Sequence, residues 1–268
     1  MSAIADLLGL AGKVAVVTGG GQGLGRGICE LLAVAGAEVA VLDIDGDLAD
    51  DAARSLPTEA LGLAVDVRRR VELDDAAAEI GRRLGPPRVW VNNVGGMAGA
   101  EPGPTDEFAQ DDFERILELN VTGTFLACQT ALGALVTAGG GAIVNVCSLQ
   151  GVQAAPQLAA YGAAKAAVAH LTRTLALEFA PKGVRVNAVA PSFVETPASA
   201  ALVSHERREA SLRAIPLGFI SQPADIAGTV LAFASDLTRF VTGQIVVADG
   251  GLSLTTARPH RGVPGSGG

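Results

Sequence analysis

Residues 13–25 have the sequence KVAVVTGGGQGLG, and this stretch decides the fold. The apolar run from Lys13 to Thr18 has the length and composition of a buried β-strand. It leads directly into a loop of closely spaced glycines and then into a helical stretch. Because glycine lacks a Cβ atom, the backbone can turn tightly there and approach a phosphate at the amino end of the helix. A strand, a glycine loop and a helix in this order predict a dinucleotide-binding unit.

The same alternation of strand and helix continues along the chain. The predicted strands are 13–18, 38–43, 61–66, 88–92, 142–147, 184–189 and 244–248, and the predicted helices lie near 23–36, 47–55, 68–84, 109–138, 157–180 and 223–235. Strands joined by right-handed helical crossovers form a parallel sheet that is covered on both faces. The sequence therefore predicts one α/β domain over residues 1–256: a Rossmann-type, doubly wound, seven-stranded parallel sheet in a three-layer αβα arrangement. An insertion at about 193–220 breaks the alternation, and we expect the Gly/Pro/Arg-rich tail at 257–268 to be disordered.

The composition of the chain argues against nucleic acid, membranes and metal ions as its partners. The chain has 268 residues and a formal charge of −8, without basic clusters interleaved with aromatic residues, so we expect no nucleic-acid partner. We find no apolar stretch of the ~18 residues that a membrane-spanning helix needs and no secretory leader, so we expect no membrane partner. Cys29, Cys128 and Cys147 each lie in an apolar run, which predicts reduced core thiols in a cytoplasmic protein. Their spacing from the histidines predicts no metal site.

Asp43 ends the second predicted strand, close to the offset of ~20 residues expected for an acid that binds a ribose. Its carboxylate can accept hydrogen bonds from a ribose 2′-hydroxyl and would repel a 2′-phosphate. The glycine loop also contains no Arg or Lys that could pair with such a phosphate. These features favour NAD over NADP as the cofactor. The alternative interpretation is that Asp43 only forms the turn at the end of the strand.

Tyr161 and Lys165 lie four residues apart in an Ala-rich helical stretch, and Tyr161 is the only tyrosine of the chain. This spacing places both side chains on one face of a helix. A phenol has a pKa of about 10 and needs a neighbouring positive charge if it is to exchange protons near neutral pH. Taken alone, the pattern also occurs in ordinary helices, in which the tyrosine packs on the core and the lysine is solvated.

Several motifs together give the chain a resemblance to the short-chain dehydrogenase/reductase family, from about Gly12 to Leu252. Residues 18–25 are similar to the family's T-G-x-x-x-G-x-G, and residues 92–95 are similar to its N-N-A-G, with Val94 in place of Ala. Residues 66–67 resemble the pair that holds the adenine ring. Residues 191–196 resemble the P-G-x-x-x-T segment beside the nicotinamide, with Ser192 in place of Gly. Four residues match the family's catalytic tetrad in order and spacing: Asn120, Ser148, Tyr161 and Lys165.

This resemblance implies reversible hydride transfer between a secondary alcohol or ketone and a nicotinamide. Tyr161 would be the general acid–base, and Lys165 would lower its pKa and bind the nicotinamide ribose. Ser148 would donate to the substrate oxygen, and Asn120 would hold a water that relays protons. The structural alternatives are that Ser148 ends a strand and that Asn120 caps or bridges its helix. The implied cofactor-binding residues are Gly19, Gly21, Gln22, Gly23, Leu24, Gly25, Asp43, Ile44, Asp66, Val67, Asn93, Val94, Gly95, Tyr161, Lys165, Pro191, Val194 and Thr196.

The insertion at 193–220 lies where this family places its substrate lid. Its apolar part, 198–203, could cover a hydrophobic alcohol, and residues 95–103 and 149–153 would form the other walls of the pocket. Three arginines, Arg207, Arg208 and Arg213, could meet an anionic group or could form a solvated helix face.

We expect a small-molecule alcohol or ketone as substrate, fairly apolar and steroid-, terpene- or diol-like. A 3-oxoacyl thioester is the alternative substrate. The alternatives of another class are a non-catalytic NAD-responsive binding protein and a structural subunit. The resemblance also implies a homotetramer that is formed through the helices at 109–138 and 157–180, for which ordinary packing against the sheet is the alternative.

Overall fold

A computed structural model describes residues 7–196 and 205–255. At its centre is one seven-stranded sheet in the order β3-β2-β1-β4-β5-β6-β7, and all of its pairings are parallel. The strands are β1 (Val14–Thr18), β2 (Glu38–Asp43), β3 (Ala60–Ala64), β4 (Pro87–Asn92), β5 (Gly141–Val146), β6 (Val184–Pro191) and β7 (Ile245–Ala248). The predicted doubly wound sheet is confirmed. The predicted tail at 257–268 and the apolar part of the insertion, 198–203, lie outside the described residues.

Helices cover both faces of this sheet. They are α1 (Gly23–Val34), α2 (Gly46–Ser55), α3 (Arg70–Arg83), α4 (Gln110–Leu117), α5 (Gly123–Thr137), α6 (Ala159–Phe179), α7 (His205–Ala214) and α8 (Pro223–Ala234). The helices predicted from the sequence do not include α7, which lies within the insertion. Its charged sequence has no apolar stripe at helical spacing, and that stripe is the usual signal of a surface helix.

Two hydrophobic cores flank the sheet because successive side chains of a strand point to opposite faces. On one face, Val17 packs with residues of α1 and α8 such as Ile28 and Ile226. On the other face, Val16 and Trp90 pack with residues of α3, α5 and α6. The sheet is therefore the middle of three layers, as the sequence predicts.

The helix predicted at 109–138 is interrupted by one wide turn. Glu118–Thr122 form a π-helical segment between α4 and α5. Asn120 lies in this segment, fully buried, and its Nδ2 donates to the carbonyl oxygens of Gly96 (2.7 Å) and Ile116 (2.9 Å). The prediction of a helical stretch at 109–138 agrees with the structure, but the π-helical turn within the stretch is not part of that prediction. A side-chain bond to a distant loop leaves no trace in the apolar periodicity on which that prediction rests.

The continuous helical stretch over residues 110–137 is long and apolar enough, by its length and composition alone, to cross a membrane. This corrects the expectation that no apolar stretch of the chain is long enough. Core helices of soluble proteins can be equally long and apolar, and half of the most apolar window of this one is buried inside the protein. Ala127, Ala131 and Leu135 are among the residues that pack on the sheet. Packing of α5 against the sheet accounts for its apolar character.

The order of the strands reverses between β1 and β4, which are neighbours at the centre of the sheet. The loops that follow two such strands run in opposite directions and leave a crevice at their carboxyl ends, where ligands of open α/β sheets bind. Here those loops begin at Gly19 and Asn93. The topology therefore brings the glycine loop and the N-N-V-G motif to one edge of the sheet.

Candidate active site

The glycine loop between β1 and α1 has the close backbone contacts that its sequence predicts. Gly19 and Gly23 have φ angles of +62° and +54°, in the left-handed region that favours glycine. A Cβ atom added to Gly25 would lie 1.9 Å from the carbonyl oxygen of Gly19, so this position admits no side chain. The Nδ2 of Asn93 donates to the carbonyl oxygens of Thr18 (3.2 Å) and Gly19 (3.0 Å). Asn93 therefore fixes the loop from the neighbouring strand.

Asp43 lies buried at the end of β2, with its carboxylate against this loop. Its Oδ2 accepts a hydrogen bond from the amide of Gly21 (3.0 Å), and its Oδ1 accepts one from the amide of Asp45 (3.2 Å). A carboxylate has about four acceptor sites, so capacity remains for a ribose hydroxyl. The first basic residue after the loop, Arg26, is paired with Asp51 (2.9 Å). Its guanidinium is thereby directed to α2 rather than to a 2′-phosphate.

Asp66 and Val67 lie beyond the end of β3, which stops at Ala64 rather than at Asp66 as predicted. The Asp66 carboxylate is bound by Arg68 at 2.7 Å, and this hydrogen-bonded ion pair lowers the pKa of Asp66. Val67 is buried, and a Cβ atom added to Gly123 of α5 would lie 2.9 Å from its side chain. Arg68 is thus a partner of Asp66 that the motif alone does not indicate.

A cavity of about 630 Å³ lies beside the glycine loop. Three of the four predicted catalytic residues line this cavity, together with several of the predicted cofactor-binding residues. The lining residues that belong to these predictions are Ser148, Tyr161, Lys165, Gln22, Leu24, Gly25, Asn93, Gly95, Pro191 and Val194. Asn120 is not part of the lining; it lies behind the loop that carries Gly95.

Lys165 extends from α6 beneath this cavity and is almost fully buried. Its Nζ donates to the carbonyl oxygen of Val146 (3.0 Å) and lies 5.9 Å from the centre of the Tyr161 ring. Burial lowers the pKa of Lys165 to about 8. Burial also raises the pKa of Tyr161, which a hydrogen bond with the Ser148 side chain only partly offsets. The pKa of Tyr161 is therefore raised overall in the protein alone, because desolvation of the phenol dominates. The lowering of this pKa by Lys165 stays a prediction.

Ser148 follows β5 and caps a short 3₁₀ turn, Leu149–Gly151. Its Oγ accepts a hydrogen bond from the Gln150 amide (3.3 Å) and donates one to the Gln150 Oε1 (2.5 Å). The alternative for Ser148 is that it only ends a strand. The structure instead gives it a capping role after β5, together with a position in the cavity wall. The sequence placed Gln150 only within a pocket wall at 149–153. The sole local signal for its contact with Ser148 is the two-residue spacing, at which serine side chains commonly bond the backbone.

Gly95 separates Asn120 from Lys165. A Cβ atom added to Gly95 would lie 2.5 Å from the Lys165 Nζ and 2.6 Å from the Asn120 Oδ1. The Asn120 Oδ1 also accepts a hydrogen bond from the Gly96 amide (3.0 Å). Asn120 therefore bridges its helix to the loop after β4, as the structural alternative held, and it does so beside the Lys165 ammonium.

Two residues depart from the family motifs, and the structure accommodates both. Among the described residues other than glycine, only Ala98 and Gln157 have positive φ angles. Ser192 thus occupies the usual glycine position without a left-handed backbone, and its amide donates to the carbonyl oxygen of Ala248 (3.3 Å). Val94 packs towards Gly19, where an added Cβ would lie 3.0 Å from its Cγ2. Neither substitution displaces a predicted catalytic side chain.

The lid segment is only partly within the described residues. The guanidinium of Arg208 pairs with Glu195 (2.7 Å), and that of Arg213 pairs with Glu209 (3.3 Å). Both arginines therefore have protein partners on the surface, as expected for a solvated helix face. Ser211 lines the cavity from α7.

The fold and this cavity define an α/β protein of the dinucleotide-binding class, with Ser, Tyr and Lys side chains in one crevice. The sequence model of the family described as enoyl-(acyl carrier protein) reductase matches residues 19–253. The chain is 34% identical over 242 residues to the NAD-dependent glycerol dehydrogenase of Listeria innocua, covering 90% of this chain and 94% of the relative. It is 39% identical over 248 residues to the cis-4-hydroxycyclohexanecarboxylate dehydrogenase of Sinomonas cyclohexanicum, covering 91% and 97%.

A solved structure of 7α-hydroxysteroid dehydrogenase with NADH and 7-oxo glycochenodeoxycholic acid has the same fold. The TM-score is 0.87 at 33% identity, covering 94% of this chain and 98% of that one. The chain belongs to the short-chain dehydrogenase/reductase family. It is an oxidoreductase that acts on an alcohol or ketone.

Proposed function

We propose that the protein is an NAD-dependent dehydrogenase that oxidises a fairly apolar secondary alcohol to a ketone, reversibly, with Tyr161 as the general acid–base. One observation supports this proposal above the others. The side chains of Ser148, Tyr161 and Lys165 line the same cavity as the loop residues Gln22 and Gly25. A reacting carbon in this cavity would be close both to the acid–base groups and to a cofactor held by the loop.

The residues present fit NAD. The glycine loop has no room for side chains at Gly25, and it leads into the amino end of α1, where a pyrophosphate is favoured. Asp43 would bind the adenosine ribose, and Lys165 would bind the nicotinamide ribose. When bound, the nicotinamide supplies the hydride acceptor. The preference for NAD rests on the position of Asp43 and on the engagement of Arg26 by Asp51. The names of the glycerol dehydrogenase and of the NADH complex support it.

The side chains of the cavity would then divide the proton chemistry. As the alcohol carbon becomes a carbonyl carbon, the alcohol O–H proton would pass to the Tyr161 oxygen. Burial raises the pKa of Tyr161, so the neutral phenol must be converted to a phenolate before oxidation. The charges of Lys165 and of the oxidised nicotinamide would favour that ionisation. Ser148 would donate to the substrate oxygen, and Asn120 would hold a relay water.

The ionisation of Tyr161 can be tested without knowing the substrate. Tyr161 is the only tyrosine, so the ultraviolet absorbance of tyrosinate reports this residue alone. We expect the Tyr161 pKa to lie above its usual value in the protein alone and to fall when NAD is added. An unchanged pKa in the presence of saturating NAD would argue against the proposed mechanism.

Turnover is then measured as nicotinamide absorbance with a panel of secondary alcohols and ketones, using NAD(H) and NADP(H) in parallel. We expect activity with NAD(H) that is lost in Tyr161→Phe, while NAD binding is retained. Substantial activity in Tyr161→Phe would refute the assigned role. A 3-oxoacyl thioester belongs in the same panel as the alternative substrate. The pairing of Arg208 and Arg213 with glutamates counts against it, because neither guanidinium is directed to a carrier phosphate.

NAD binding without any turnover would favour the non-catalytic alternative.

We further propose a cytoplasmic homotetramer assembled through the helices that include α4, α5 and α6. Large apolar side chains that are partly exposed on these helices, Phe113 and Phe125, support an interface there.

A further inference from the structure

Gln150 holds the Ser148 hydroxyl through two hydrogen bonds. The main-chain amide of Gln150 donates to the Ser148 Oγ (3.3 Å), and this bond alone would complete the turn. A second bond then joins the two side chains, in which the Ser148 Oγ donates to the Gln150 Oε1 at 2.5 Å. A serine hydroxyl has one proton, so the bond to Gln150 uses the whole of its donor capacity.

This second bond conflicts with the role of Ser148 in the proposed reaction. To donate to the reacting oxygen of the substrate, Ser148 must release the Gln150 Oε1. Gln150 is half-buried in the cavity wall, and a partly desolvated acceptor that loses its donor costs free energy. Binding is therefore favoured for substrates that supply a replacement donor at this position.

A hydroxyl group on the carbon next to the reacting carbon supplies that donor. In a gauche vicinal diol the two oxygens lie about one hydrogen-bond length apart, ~2.8 Å. This separation is close to the 2.5 Å between the Ser148 Oγ and the Gln150 Oε1. One oxygen of the diol can therefore accept from Ser148 while the other donates to Gln150.

The Gln150 side chain has a second group available for the same oxygen. No protein partner of its Nε2 is found among residues 7–196 and 205–255, and this amide nitrogen has two donors. The neighbouring oxygen of the substrate could thus both donate to Oε1 and accept from Nε2. An alcohol without a second hydroxyl has no oxygen at this position and can form neither of these two bonds with Gln150.

We propose that Gln150 determines specificity by binding a second oxygen adjacent to the reacting carbon, so that the preferred substrates are vicinal diols in oxidation and α-hydroxy ketones in reduction. This inference rests on the proposed function and narrows its substrate class. Gln150 contacts the substrate's second oxygen and, through Ser148, positions the donor to the first.

The test compares trans-1,2-cyclohexanediol with cyclohexanol, which differ by one hydroxyl. The quantity measured is the ratio of their kcat/KM values with NAD, in wild type and in Gln150→Leu. A site built to bond a substrate hydroxyl discriminates strongly against the analogue that lacks it. We expect the wild type to prefer the diol about ten-fold or more, and Gln150→Leu to lose most of this preference.

Two further variants separate recognition from general damage. Gln153→Leu makes the same change at an exposed position of the same loop that does not line the cavity, and it should keep the diol preference. Gln150→Glu retains acceptor oxygens and should keep the preference in part. If Gln150→Leu does not fold, as judged by thermal unfolding, Gln150→Ala takes its place. An equal diol ratio in wild type and in the Gln150 variants would overturn the inference and leave the proposed function standing.

A binding measurement gives a readout besides turnover. NADH and a diol are both reduced and cannot react, so calorimetry of the diol with the NADH complex reports recognition alone. We expect the diol to bind more tightly than cyclohexanol to wild type but not to Gln150→Leu. If this difference appears while no alcohol is turned over, the proposed function fails and the role of Gln150 in recognition stands. If wild type binds both alcohols equally, the role of Gln150 is refuted.

Discussion

Lys165 carries an ammonium group in the interior of the protein, and this should make the wild type less stable than a variant without it. No ion pair of Lys165 is found in the part of the chain that the structure describes, and its Nζ bonds only a carbonyl oxygen, that of Val146 (3.0 Å). Burial lowers its pKa from 10.5 to about 8. At ~1.4 kcal/mol per pKa unit, this difference means that the charged form costs the folded state about 3 kcal/mol.

The substitution Lys165→Met removes the charge and keeps a flexible chain of similar length. It also leaves the Val146 carbonyl oxygen without its donor, which costs about 1–2 kcal/mol. The balance predicts that Lys165→Met raises the free energy of unfolding at pH 7 by about 1–2 kcal/mol, while it abolishes turnover. A stabilising change that removes activity is expected where function maintains an unfavourable group.

The stability difference between wild type and Lys165→Met also depends on pH. Below about pH 8, Lys165 is charged in both the folded and the unfolded state, and the full cost is present. As the pH rises from about 8 to 10.5, the folded state has lost its proton while the unfolded state still binds one. In this window the unfolded state binds more protons, so wild type gains stability with pH. The advantage of Lys165→Met must therefore shrink and disappear within this window, and by pH 10.5 the wild type should be the more stable protein.

Denaturant unfolding at pH 7 and pH 10, at one protein concentration, measures both effects. Lys182→Met is the matched control, because Lys182 is exposed. It removes only the contact of the Lys182 Nζ with the Phe179 ring (4.7 Å to its centre), so the unfolding free energy should fall by no more than about 1 kcal/mol and should not rise. A Lys165→Met variant that is less stable than wild type at pH 7 would refute the reasoning. So would a stability difference that is the same at both pH values.

Three further predictions follow from the site and the proposed assembly. Gly95→Ala should lower kcat/KM about 100-fold, since its Cβ would displace Lys165 and Asn120. Gly81→Ala on α3, where an added Cβ would meet no atom within 4 Å, should leave turnover unchanged, and equal activity of the two variants would contradict the argument. Asp43→Asn should reduce the preference for NAD over NADP about ten-fold, as the ratio of kcat/KM values; an unchanged ratio would exclude contact with the ribose. Size-exclusion chromatography with light scattering should give a tetramer at micromolar concentration, and a monomer would contradict the proposed assembly.

The sheet could be predicted because its central strands, such as β1 and β4, are buried on both faces. Runs such as residues 14–17 are apolar throughout, and their alternation with helices specifies both the class and the parallel pairing. The glycine loop could be predicted for a similar reason, since Gly19 and Gly25 occupy positions where a side chain is excluded by φ or by contact. These features are local, so one short stretch of sequence contains the whole signal.

The parts that could not be predicted depend on contacts between distant residues. The π-helical turn contains Asn120, whose side chain forms two hydrogen bonds with the backbone of Gly96, 24 residues away in the sequence. The pKa of Tyr161 is raised by burial, whereas the motif indicates only the neighbouring lysine. The pairing of Arg208 with Glu195 joins α7 to the segment after β6, 13 residues earlier. Neither periodicity nor motif spacing encodes which side chains the fold brings together.

Because of the wide turn at Glu118–Thr122, a residue cannot be inserted into or deleted from this helical stretch without loss of packing. Before the turn, Ile116 packs with Ala100 of the loop after β4 and with Ala160 of α6. After it, Ala131 and Leu135 pack on the sheet. One residue of an α-helix corresponds to a rotation of about 100°, so a deletion that restored regular winding would turn one of these faces away from its partner. Insertions and deletions should therefore be tolerated in the surface loops of this protein long before they are tolerated here, although a shorter helix would have the better backbone hydrogen bonds.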